Sequence, residues 1–255
     1  MEVSSFELIY KPQSPVGAAD RVIQGYFLNI TNLETTQLIF RLDFVTSPVP
    51  DPDRSLFDNT VAFIDTPAQN NIQASLVGGP ASAAFRLSPF VIVPPNATAK
   101  VALLPSDPFP TAGLPANFEA RGHVTLRLPP VIAFDGSRLR VVPQIDGAAR
   151  VLLTPQNRAT YLDTTGTIND QTQSSLPTAS GAARDEVEAE TGVSFVSSGI
   201  SERISAFTGE PMPEFDATDV AMMLASLSAS DADLGQLNAE LKRAGIAMSV
   251  ENRKT

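Results

Sequence analysis

The sequence predicts a mainly β protein: an antiparallel β-sandwich over residues 1–160, an extended polar and acidic linker over 161–215, and a C-terminal α-helical hairpin over 216–255. Three observations predict it. Only 18% of the 255 residues are charged, and 21 prolines punctuate the chain, whereas ordinary soluble domains carry roughly 25% charged residues. Short apolar segments separated by turn residues follow one another up to Leu153, the mark of strands rather than helices. The charge then changes abruptly. Of the formal −10, eight units fall between Asp185 and Asp219, where nine acids face only Arg203, while Met1–Leu153 holds 13 acidic and 11 basic residues.

The strands are expected, in order, at Phe6–Tyr10, Arg21–Asn29, Thr36–Val45, Thr60–Asp65, Ile72–Leu76, Ala83–Leu87, Phe90–Val93, Ala99–Leu104, Phe118–Leu128, Arg138–Val142 and Arg150–Leu153. Alternation is clearest late in the chain. Val124, Leu126 and Leu128 share one face of their strand, and Arg121, His123, Thr125 and Arg127 share the other, so the first set is core and the second surface. The same period puts Leu139 and Val141 inward and Arg138 and Arg140 outward. If these strands are neighbours, Arg121, Arg127, Arg138 and Arg140 form one patch, which must be splayed into solvent or matched by carboxylates. The acidic segment Asp185–Asp219 is the expected match, from the same chain or the next.

The doublets Pro94-Pro95 and Pro129-Pro130 each follow an apolar strand, and proline, which cannot donate to a ladder, marks strand ends or edges. In the runs Leu28-Asn29-Ile30-Thr31-Asn32 and Val93-Pro94-Pro95-Asn96-Ala97-Thr98-Ala99-Lys100-Val101-Ala102-Leu103 the chain resembles bacterial immunoglobulin-like modules. The resemblance covers about the first 105 residues; it implies an immunoglobulin-like sandwich and no activity.

From Thr154 to about Gly181 the residues turn to Thr, Gln, Asn, Ser, Asp and Gly, a stretch that buries too little to fold alone and reads as a linker. Ala182–Glu190 and Glu202–Phe207 are expected as short helical turns. Beyond Asp216, Val220, Met223, Leu224 and Leu227 fall at helical spacing, and Leu234, Leu237 and Leu241 follow in a second helix with Asp231 and Asp233 at its start and Lys242, Arg243 and Gly245 at its end. That order suits the helix dipole and a glycine cap. The hairpin stripe needs a partner surface, its own sandwich or another chain.

Signals for chemistry are sparse. His123 is the single histidine and cysteine is absent, which leaves no thiol nucleophile and no nucleophile elbow around a serine. Asp51, Asp53 and Asp58 could place oxygens around calcium, but they lack the glycine and terminal glutamate of an EF-hand loop and read as a solvated turn. Gly78 and Gly79 lead into Pro80, not into a phosphate-binding helix. Neither a cofactor nor a metal is expected. An acidic chain without a basic stripe argues against nucleic acid, and no run of about 18 apolar residues could span a bilayer. The N-terminal residues lack a basic and then apolar signal, so a cytoplasmic setting is expected, with a virion or a dedicated secretion machine also compatible.

These readings converge on a non-enzymatic structural or assembly protein. It is expected to be a homo-oligomer with an interface formed by Val220, Met223, Leu224, Leu227, Leu234, Leu237 and Leu241 together with Arg121, Arg127, Arg138 and Arg140. The alternative is an adaptor that uses the hairpin on a different protein, and an enzyme is third.

Overall fold

The computed structural model describes residues 1–12, 21–47, 55–67, 69–79, 82–106, 118–134, 139–163 and 165–190. They form fourteen strands: β1 (Glu2–Pro12), β2 (Arg21–Asn32), β3 (Leu38–Thr46), β4 (Thr60–Thr66), β5 (Gln69–Val77), β6 (Ala84–Ser88), β7 (Val91–Val93), β8 (Thr98–Pro105), β9 (Phe118–Arg127), β10 (Val131–Phe134), β11 (Leu139–Val142), β12 (Ala148–Leu162), β13 (Ile168–Ser175) and β14 (Arg184–Glu188). The chain divides into two units, Met1–Leu128 with Ala148–Glu188, and Pro129–Gly147 with Ala189–Thr255.

In the first unit, antiparallel hydrogen bonding runs β1-β9-β3-β6-β5-β4-β8-β2 and returns from β2 to β1, closing an eight-stranded barrel. Closure occurs at Gly25. One edge of β2 bonds β1 through Arg21–Gln24 and β8 through Tyr26–Thr31, while its other edge bonds β12 along Arg21–Asn32. A Cβ at Gly25 would overlap the Leu104 side chain and come within 3.1 Å of the Leu103 carbonyl, so the residue at which the two arms part has to be the smallest.

Eight strands enclose a space that side chains can fill, and here Phe6, Tyr26 and Phe44 fill it with edge-on ring pairs whose centroids lie 5.6 to 6.2 Å apart. Leu8, Leu28, Ile30, Leu42, Ile64, Phe85, Val124, Leu126 and Leu128 are buried as well. The Tyr26 hydroxyl shares a 2.9 Å hydrogen bond with Ser4 Oγ, and burial raises its pKa. The sequence thus places Val124, Leu126 and Leu128 correctly; the side chains of Leu139 and Val141 lie outside the described residues.

The sandwich, and with it the immunoglobulin-like resemblance, is overturned by the closed ring. Alternation along a strand reports which face is inward, and a sandwich and a barrel demand the same alternation. They differ in whether the terminal strands bond each other, which here depends on the β1–β2 and β8–β2 pairings and on a glycine between them.

The expected linker is corrected too. β12 runs fifteen residues, through Pro155, and carries two further strands on its outer edge: β14 against Ala148–Leu152 and β13 against Gln156–Leu162. Pro155 falls between them. Its carbonyl accepts from Leu176 at 2.9 Å, so the donor that proline lacks would have served only the end of β13. The turn Asp163–Thr167 joins β12 to β13: Gly166 stands at φ 82°, Gly166 N–H donates to the Asp163 carbonyl, and the Asp163 carboxylate accepts from the N–H groups of Thr165 and Thr167. Ala182–Glu190, expected as a helical turn, contains β14, because the edge of β12 offers backbone partners that an isolated helical turn lacks.

In the second unit β10 and β11 form an antiparallel pair, and Gln144 Nε2 donates to the Pro129 carbonyl at 2.7 Å. Among the described residues there is no α-helix, and hence none long and apolar enough to cross a membrane. The hairpin expected at 216–255, and the turn expected at Glu202–Phe207, lie outside the described residues.

Candidate functional site

The outer face of β3, β6 and β9 carries an arginine cluster. Outward residues of β3 are Arg41, Asp43 and Val45, since the intervening Leu42 and Phe44 are buried inside. Register places Arg41 opposite Arg127, and Asp43 between Thr125 of β9 and Arg86 of β6. The Asp43 carboxylate accepts from Arg41 Nε at 2.9 Å through one oxygen and from Arg127 Nε at 3.1 Å through the other. These residues, with Val45, Val77 and Phe85, line a cleft of about 260 Å³.

A second hollow of about 420 Å³ lies over β2, β4 and β8, floored by Phe27, Phe63, Ala102 and Leu104 and edged by Asp65, Asn71 and Lys100. The Arg158 guanidinium stands 4.6 Å and the Lys100 ammonium 5.4 Å from the Phe27 ring centre, distances at which a cation is held by the ring's electron-rich face.

The third feature is the edge of β13. All eight of its residues are exposed, and among the described strands it pairs with β12 alone. The ladder also fixes which groups face outward. Leu176 N–H reaches across to Pro155, whereas Gln171 N–H turns to the carboxylate of Asp170 at 2.8 Å. Alternation then directs the N–H and C=O groups of Gln171, Gln173 and Ser175 away from β12.

Of the four arginines singled out in the sequence, the two whose side chains the structure describes, Arg121 and Arg127, engage different acids. Arg121 binds Glu7 and Glu119 of the neighbouring β1 and of its own strand. Arg127 joins Arg41 and Arg86, neither of which stood out in the sequence because each is a lone base in its own strand; only the register of three strands reveals the cluster. Arg138 lies outside the described residues, as do Val220, Met223, Leu224, Leu227, Leu234, Leu237 and Leu241; Arg140 belongs to β11, with its side chain outside them. Arg150 engages Glu34, through Nε at 2.8 Å and its own N–H at 2.9 Å, and these bonds hold the Glu34 carboxyl at about 2 instead of 4.5. Asp58 is a turn residue with φ 59°, and Asp51 and Asp53 lie outside the described residues. His123 sits on β9 opposite Ser5 and Val45.

No protein-family model, curated protein or solved structure matches the chain.

Proposed function

We propose that the chain is a non-enzymatic assembly module that joins copies of itself by pairing β13 of one copy with β13 of the next. The exposure of β13 at every position carries this reading. Among the described residues this strand, which buries neither face, is held by its β12 ladder, a hydrogen bond from Gln171 Nε2 to Thr160 Oγ1 and the Asp163 turn, and a second ladder would complete its backbone bonding. Its sequence, Ile-Asn-Asp-Gln-Thr-Gln-Ser-Ser, has neither the lysine nor the proline with which exposed edges are commonly blunted. Antiparallel pairing centred on Thr172 sets Gln171 opposite Gln173 and Asp170 opposite Ser174, so outward groups meet outward groups and no like charges face each other.

Proline substitution tests this by strand parity. Gln173→Pro removes an N–H that faces outward and is expected to reduce the assembly to folded monomers in light scattering, with the barrel's thermal midpoint unchanged. Thr172→Pro removes an N–H bonded to β12 and is expected to release β13 altogether. A parent protein that is monomeric across a hundredfold concentration range would end the proposal. If that monomer instead captured a different chain along β13, the adaptor alternative would take its place.

A further inference from the structure

We propose that the hollow over β2, β4 and β8 is a binding site for a free α-amino acid with an apolar side chain, its charged end beside Lys100 and Asp65 and its side chain over Ala102. The inference does not depend on pairing through β13. Register builds the hollow. Phe27 of β2 stands opposite Ala102 of β8, which in turn stands opposite Phe63 of β4. All three point outward, since their chain neighbours Tyr26, Leu28, Val101, Leu103, Ala62 and Ile64 are buried inside. The two phenyl walls therefore rise from strands two spacings apart, about 9.6 Å, with only a methyl group between them. Contacts at about 3.5 to 4.0 Å from each wall leave room for one chain in single file.

The two ends of this slot differ. Two residues along β8 one way is Leu104, opposite Val61; two residues the other way is Lys100, opposite Asp65. Asn71 lies beside them. Opposite charges facing each other across a ladder ordinarily pair, yet the Lys100 ammonium is turned to the Phe27 ring, 5.4 Å from its centre. Among the described residues no salt bridge joins it to Asp65, which is exposed. A cation and an anion held apart at one end of an apolar slot match a zwitterion, with its carboxylate toward Lys100 and its ammonium toward Asp65. A ligand carrying only one of these charges would face a like charge at the same place. The Arg158 guanidinium, 4.6 Å from the Phe27 ring centre and bonded to Gln156 Oε1 at 3.1 Å, braces the ring, so the wall is set before a ligand arrives. The volume, about 420 Å³, falls among small-molecule sites of roughly 300 to 1,000 Å³.

Four probes separate the parts of this claim. The full-length protein, labelled with ¹⁵N, is titrated with leucine, with leucinamide, with 4-methylpentanoate and with glycine, at slightly acid pH, where an α-amine is charged. Leucine is expected to shift the amides of Phe27, Phe63, Lys100 and Ala102, with a dissociation constant on the order of 1 mM. Leucinamide keeps only the ammonium and 4-methylpentanoate only the carboxylate; each is expected to bind about fivefold more weakly, the scale of one partly exposed ion pair. Glycine keeps both charges without the apolar body and is expected to shift none of these amides.

Two surface variants assign the charges. Lys100→Met is expected to weaken leucine about fivefold without weakening leucinamide, and Asp65→Asn to weaken leucine by the same factor without weakening 4-methylpentanoate. Ala102→Leu fills the floor between the two rings and is expected to suppress leucine binding while the amide spectrum stays folded. Absence of shifts from leucine, equal binding of leucine and either singly charged analogue, or equal binding of leucine and glycine would each overturn the proposal. So would leucine binding that is undiminished in folded Lys100→Met or Asp65→Asn.

Discussion

Asn32 shows how much a single buried side chain can hold. It is fully buried; its Nδ2 donates to the carbonyls of Thr36, Val93 and Pro94 at 2.8 to 3.2 Å, and its Oδ1 accepts from Glu34 N–H. The amide thereby fastens the β2–β3 loop to the β7–β8 turn, where Asn96 takes φ 54°. Asn32→Asp keeps the shape and replaces a donor by a charge facing three carbonyl oxygens, so a loss on the order of 3 kcal/mol or more is expected in denaturant unfolding. Gly122 is equally constrained: a Cβ there would overlap the Val45 carbonyl oxygen and meet Phe6 at 3.0 Å. Gly122→Ala is expected to cost about 3 kcal/mol or more, since backbone of a paired strand must move; a midpoint unchanged from the parent would show that β3 and β9 part easily. The Glu34–Arg150 pair gives a pH dependence of definite sign. A folded pKa of about 2 against an ordinary 4.5 means that the pair's contribution is present above about pH 4.5 and is lost as pH falls toward 2. Glu34→Gln should flatten that part of the stability profile, and a profile identical to the parent's would remove the pair as its source.

At the scale of elements, the β12–β13 hairpin is the part most dependent on turn chemistry. Asp163 accepts three hydrogen bonds from Thr165 and Thr167, and these lower its carboxyl pKa; Gly166 at φ 82° completes the turn. Gly166→Ala is expected to cost about 1 kcal/mol, expressed as faster amide exchange in β13 and not as a lower barrel midpoint. Uniform destabilisation of the barrel would mean that hairpin and barrel unfold together. The elements also show what the sequence made legible. All eleven strands that it predicts overlap a strand of the structure, because alternating residues such as Val124 and Leu126 carry the period of a half-buried sheet. β10, β13 and β14 were not legible: β10 follows the Pro129-Pro130 doublet, which reads as a strand end, β13 buries nothing, so no apolar period exists to be read, and Pro155 reads as the end of a strand that in fact passes through it. Likewise Arg41, Arg86 and Arg127 gave no signal separately, since a cluster built across three strands is a property of register.

For the whole molecule, barrel against sandwich was decided by pairings between residues far apart in sequence, Ile9 with Gln24 on one side of Gly25 and Tyr26 with Leu103 on the other. The proposed self-association through β13 would likewise depend on backbone groups and not on side-chain type. Amide hydrogen exchange resolved by residue, recorded at low and at high protein concentration, therefore tests it most directly. Thr172 and Ser174, whose N–H groups face β12, are expected to be protected at both concentrations. Gln171, Gln173 and Ser175 are expected to exchange freely when dilute and to become protected as concentration rises. Free exchange of these three at every concentration, with Thr172 and Ser174 still protected, would contradict assembly through this edge.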